Sequence, residues 1–142
     1  MEVLFRSYEL ETANIIIGNY IKEDGFYMEN GEPICGKPCT RHYIQDEDCI
    51  KHEIAPEYLS ISFEDMIDRE GTKIFASLRE DGKGGDNLQY QEAEWETIYE
   101  DCQFIIHCKV LDYLVTPLRI ALLNENKIGG VKNRVQVVGI QK

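Results

Sequence analysis

Short apolar runs separated by polar and Gly or Pro breaks recur through the first sixty residues, as expected of a succession of strands. Val3-Leu4-Phe5-Arg6-Ser7-Tyr8 reads as a first strand. Asn14 to Ile21 reads as a second, because the β-branched run Ile15-Ile16-Ile17 disfavours a helix. Gly18 inside that run marks a bulge or a close backbone approach. Glu23-Asp24-Gly25 predicts a tight turn, with Phe26-Tyr27-Met28 returning as a third strand. Asn30-Gly31 is a hairpin dipeptide, since both residues tolerate positive φ. Gly36 and Pro38 exclude a regular central strand, and extended chain resumes over Thr40 to Ile44. Cys49 to Ile54 alternates again until Pro56. The first third therefore predicts an antiparallel meander.

The second half is less uniform. In Ser60 to Asp68, Ser62 and Asp65 resemble an N-cap arrangement, and Phe63, Met66 and Ile67 share a helical face. At most two turns of helix are expected there. Ile74 to Leu78 reads as a strand, followed by the Gly-rich EDGKGGD and by alternation resuming at Asn87 to Tyr90. Glu92 to Tyr99 fits either a strand or a helical stripe, and its β-rich surroundings favour the strand. Gln103 to Leu114 is the most apolar segment and reads as a core strand. Thr116-Pro117 predicts a helix start over Leu118 to Asn124. Gly129-Gly130 breaks the chain, and Arg134 to Ile140 is a final strand. The class is all-β, or β-rich α+β with one or two short helices. Residues 1–60 form an N-terminal β meander and residues 61–142 a C-terminal β subdomain.

With 142 residues the chain is one domain, or two subdomains sharing a core. No apolar run approaches the ~20 residues of a membrane span. MEVLFRSYEL has no long apolar stretch of the signal-peptide kind, so a cytoplasmic location and no membrane partner are expected. The net charge is −11, distributed unevenly: residues 1–108 carry 24 acidic and 9 basic side chains, and residues 109–142 carry 2 and 6. That balance argues against direct nucleic-acid binding by the whole domain. It permits head-to-tail self-assembly of an acidic body with a basic tail. Five cysteines, an odd number without a secretion signal, favour reduced thiols.

Several side-chain patterns carry candidate chemistry. Cys35-x3-Cys39-x9-Cys49-x2-His52 offers thiolates and an imidazole suited to zinc, with His42 nearby. Against it, Cys49 and His52 would leave opposite faces of a regular strand. The same geometry separates His107 from Cys108 as a base and nucleophile. The glycines of EDGKGGD, with Arg79 and Lys83, resemble a phosphate cradle, but Glu80, Asp81 and Asp86 have the wrong sign and no phosphate-loop spacing is present. Thr40-Arg41-His42-Tyr43 is a donor-rich cluster able to take an anionic ligand or a nucleotide base, or to pair with nearby acids.

Leu4-Phe5-Arg6, Gly18-Asn19-Tyr20-Ile21, Gly71-Thr72-Lys73-Ile74-Phe75 and Gly85-Asp86-Asn87-Leu88 together resemble the YopX family of phage and prophage proteins. Val135-Gln136-Val137-Val138-Gly139-Ile140 is similar to that family's apolar ending. Nine residues, Ala76 to Gly84, separate two segments that run together in common members, and they are expected to project as a mobile or interface-forming loop. The resemblance implies a β-rich fold with a small SH3-like barrel, a phage or prophage origin and homo-oligomers. It carries no catalytic residues. The expectation is a non-catalytic binding protein of the host cytoplasm with no cofactor, acting in counter-defence by sequestering a nucleotide signal or blocking a host protein. Arg41, His42, Arg79, Asp86 and Trp95 are the candidate contact residues. The alternatives are a zinc domain on Cys35, Cys39, Cys49 and His52, and a self-assembling structural protein.

Overall fold

The computed structural model describes residues 2–123 and 135–142. Its strands are β1 (Val3–Tyr8), β2 (Ile15–Glu29), β3 (Glu32–Gln45), β4 (Lys51–Glu53), β5 (Ser60–Phe63), β6 (Ala76–Ser77), β7 (Asp86–Tyr90), β8 (Ala93–Glu100), β9 (Gln103–Cys108), β10 (Val115–Pro117) and β11 (Gln136–Ile140). One short helix, α1 (Leu118–Leu123), and a 3-10 turn at Pro56–Tyr58 complete the described elements. The chain is β-rich, as its succession of apolar runs predicts. Gly129-Gly130 and the start of the expected last strand at Arg134 lie outside the described residues.

The strands form one sheet ordered β10-β9-β8-β6-β5-β1-β2-β3-β4. β8 is its branch point. β9 runs along one edge of β8, while the other edge is shared by β7, opposite Trp95, and by β6, parallel at Ile98. β11 adds outside β7. Among the described residues no pairing joins β10 to β4.

Two apolar clusters fill the body. Ile74, Leu88, Trp95, Ile106, Leu118 and Val135 belong to the larger, and Phe63 and Phe104, edge to face with each other, pack against it. Ile44, Ile54 and Leu59 form the smaller, with Phe5, Ile16 and Tyr20 against it. Each large side chain so buried stabilises the fold by about 1.5–3 kcal/mol. Crossing between the two clusters is a polar seam: the Arg6 guanidinium donates to the Gly84 carbonyl at 2.8 Å and lies 2.8 Å from the Asp86 carboxylate.

β2 is the element that changes partner. Through Ile15–Gly18 it pairs with β1, and from Asn19 onward with β3. Gly18 makes the transfer possible, because a Cβ there would stand 2.0 Å from the Gln45 carbonyl oxygen. The expected close approach at Gly18 is therefore present. Beyond it β2 and β3 leave the body as a two-stranded arm, turned at Asn30 (φ 51) and Gly31 (φ 80).

Four local expectations are corrected. Glu23-Asp24-Gly25 is not a turn: β2 runs through it, with Glu23 opposite Arg41 and Asp24 accepting a 2.8 Å bond from the Thr40 hydroxyl. Ser60 to Phe63 is strand rather than helix, because Ser60 and Ile61 are buried between β1 and β6. Gln103 to Leu114 is no continuous strand; it ends at Cys108, where the Cys108 N–H closes a turn onto the Leu114 carbonyl. Ala76 to Gly84 does not project as a whole. Ala76 and Ser77 are buried, the Ser77 hydroxyl reaches the Lys83 carbonyl at 2.6 Å, and only Leu78 to Asp81 stand exposed at the tip.

Candidate functional site

The five candidate contact residues do not converge. Trp95 is 2% exposed, and its indole N–H donates to the Tyr90 carbonyl at 2.9 Å. Asp86 is 1% exposed and accepts the Phe75 N–H at 2.8 Å beside Arg6. Burial pushes the Asp86 carboxyl up, with the Arg6 charge pulling the other way. Both are core groups and present no surface to a partner. Arg79 folds onto Asp81 at the exposed loop tip, 3.0 Å away. Arg41 and His42 lie on the arm, but neighbouring strand positions face opposite ways. Arg41 contacts Tyr43 and Cys39, while His42 stacks on Tyr20 and shares a 2.5 Å hydrogen bond with its hydroxyl.

The cysteine pattern is likewise dispersed. Cys35 and Cys39 lie on the arm, and Cys49 is exposed in the turn before β4. His52 has both ring nitrogens engaged, one by Glu9 and the other by Asp46 at 2.7 Å. Among the described residues no three His, Cys, Asp or Glu side chains gather as a metal site. His107 is held by Glu96 at 2.8 Å and by the Asp112 carbonyl at 2.6 Å, while Cys108 turns into the core. All three imidazoles are thus committed to structural contacts.

A cleft of about 890 Å³ lies between the turn after β5, the start of β9 and α1. Phe63, Met66, Phe104, Leu118 and Leu122 give it an apolar wall, and Asp65 and Arg119 are its charged groups.

The arm has the larger uncovered surface. Every residue from Lys22 to Pro33 is exposed, and the rest of β3 up to Thr40 is exposed apart from Ile34 and Cys39. Phe26, Tyr27 and Met28 stand 49%, 55% and 49% exposed in succession. The charged groups of β2 are unequally satisfied. Lys51 holds Glu23 at 2.6 Å and Thr40 holds one oxygen of Asp24, while Lys22 has no partner among the described residues. The sequence carries no strand signal across this stretch, since Lys22-Glu23-Asp24-Gly25 are four non-apolar residues in succession and read as a turn.

The molecule so defined is a β-rich body bearing a two-stranded arm. No family model, curated protein or solved structure matches the chain. Among the described residues no helix is long and apolar enough to cross a membrane.

Proposed function

We propose that the chain is a non-catalytic protein-binding module whose contact element is the β2–β3 arm. The observation that carries this reading is the run Phe26-Tyr27-Met28, about half exposed near the tip of the β2–β3 ladder, away from the β4 pairing and the core cluster at its base. Aromatic and methionine side chains, here Phe26 and Met28 on one face of the strand and Tyr27 on the other, are what protein interfaces concentrate. A two-stranded hairpin is marginal alone in water, so an arm of this length gains stability from a partner. The commitment of His42, His52 and His107 to structural contacts supports a binding role over acid–base catalysis.

The phage or prophage setting rests on the YopX resemblance. Within it, the module acts in the host cytoplasm through the protein contacts of its arm. Sequestering a nucleotide signal is less well supported, since Arg41 and His42 leave opposite faces of β3.

The test places a photo-crosslinking residue at Tyr27 and illuminates cells making the protein. A discrete protein adduct is expected, lost in Phe26→Ser/Met28→Ser although the purified variant melts as the parent does. No adduct from the arm, or an adduct indifferent to both serines, sinks the proposal.

A further inference from the structure

The two free edges of the arm are not alike. The outer edge of β3, beyond its short pairing with β4 at Tyr43 to Gln45, carries Pro33 and Pro38 and a positive-φ Gly36 (φ 80). Prolines lack the N–H that a neighbouring strand needs, and a kinked edge resists pairing. β2 from Asn19 to Glu29 has no proline, and β1 leaves its outer edge after Gly18. Among the described residues one edge is blunted and the other is left open.

The open edge is complementary to itself. When two copies of β2 run antiparallel about a two-fold axis at Glu23, Lys22 of each copy falls opposite Asp24 of the other. On the same face, Tyr20 falls opposite Phe26, and on the other face Ile21 falls opposite Gly25. Both Lys22–Asp24 pairs are attractive, and each Tyr20–Phe26 pair joins two aromatic rings. Among the described residues Lys22 has no side-chain partner, and Asp24 has one carboxylate oxygen beyond its bond to Thr40. The central Glu23 residues meet as like charges, but each already carries a Lys51 ammonium at 2.6 Å. Joining the arms turns two marginal hairpins into a four-stranded antiparallel sheet, β3-β2-β2-β3.

We infer that the partner of the arm is a second copy of this chain, bound edge to edge through β2 and centred on Glu23. The inference rests on the protein-binding reading of the arm and names its occupant. Sedimentation of the full chain over a range of concentrations, with charge variants, tests it. The parent chain sediments as a reversible dimer. Lys22→Asp alone sets carboxylates against Asp24, and Asp24→Lys alone sets ammoniums against Lys22. Each weakens the dimer on the order of tenfold or more. The double exchange, Lys22→Asp with Asp24→Lys, restores opposite charges and recovers the affinity to within about threefold. Both positions are exposed, and circular dichroism melts of the variants verify the fold.

A chain that stays monomeric at every concentration overturns the inference, as does a dimer indifferent to all three variants. A monomer that still gives a foreign protein adduct from Tyr27 removes the second copy while the protein-binding reading stands. A dimer insensitive to every arm substitution, with no adduct from Tyr27, removes both.

Discussion

The Arg6 guanidinium stands 2.8 Å from the Asp86 carboxylate, and this contact fastens the first strand to the turn that opens β7. Arg6 also lies 4.5 Å above the Phe75 ring and donates to the Gly84 carbonyl, so one side chain serves three parts of the body. Asp86 is nearly inaccessible, which makes its charge expensive without Arg6.

Arg6→Met should therefore lower stability by about 3–5 kcal/mol near neutral pH. Burial already raises the Asp86 carboxyl, and removing the cation raises it further. A carboxyl with a folded pKa above its unfolded value is stabilised by taking up a proton. The deficit of the variant relative to the parent should accordingly shrink as pH falls through that raised folded value. Urea unfolding of both proteins at about pH 7 and about pH 5 measures it. An equal deficit at both values would show that Asp86 stays ionised without its partner.

His52 provides a second pH signature. Its imidazole pKa is raised by Asp46 first and then Glu9. Its contribution is fully present below its unfolded pKa and is lost as pH rises through the raised folded value. Asp46 is lowered chiefly by His52, and Glu9 by Thr12 and then His52, so their share is lost instead as pH falls through their depressed values. The cluster holds β4 best between those two limits. His52→Gln should flatten the decline of stability on the alkaline side of about pH 6.5. An imidazole NMR titration of the parent should place the His52 midpoint above that of a free histidine; a midpoint at or below it contradicts the assignment.

Two glycines with opposite surroundings separate packing from backbone freedom. Gly84 has φ +81, and a Cβ added to it would meet the Tyr58 carbonyl oxygen at 2.0 Å. Gly84→Ala therefore combines an unfavourable conformation with a backbone clash, at a cost of at least about 2 kcal/mol. Gly25, in the extended arm, has nothing within 4 Å of its Cβ position. Gly25→Ala should be neutral, or gain up to about 1 kcal/mol through the unfolded state. Chemical denaturation of the pair tests the contrast. A mild Gly84→Ala would mean that the turn after β6 shifts easily away from Tyr58.

The strand pattern was legible wherever one face is buried and the other wet. Alternation located β1, β8 and the start of β2, and Asn30-Gly31 located the arm's turn. It misled where tertiary pairing overrode local chemistry. Ser62 looks like a cap residue, yet it is buried in a strand that pairs with β1 along its length and with β6 at Ser60 and Ile61. Glu23-Asp24-Gly25 has turn composition, yet Arg41 and Thr40 lie across from it and keep it extended. The candidate contact residues failed for a related reason. Trp95 and Asp86 carry chemistry that a surface could use, and only long-range packing shows that the core takes both. The arm escaped notice because its length depends on β3 pairing across an irregular Gly36-Pro38 segment, which no local signal reports.

The arm and the body should open independently. From Asp24 to Thr40 the two strands pair only with each other among the described residues, whereas β8 is paired on both edges and buries Trp95, Thr97 and Ile98. Amides of the arm should exchange by local opening, at rates little affected by low denaturant. Those of β8 should exchange by global unfolding and respond steeply to denaturant. Cross-strand hydrogen exchange read by NMR distinguishes the two. Raising protein concentration should then slow exchange in β2 more than in β3, since β2 carries the edge without proline. Equal protection of both strands, or none in either, would mean that β2 gains no neighbour, and uniform denaturant sensitivity across arm and body would mean that the arm is not a separate unit.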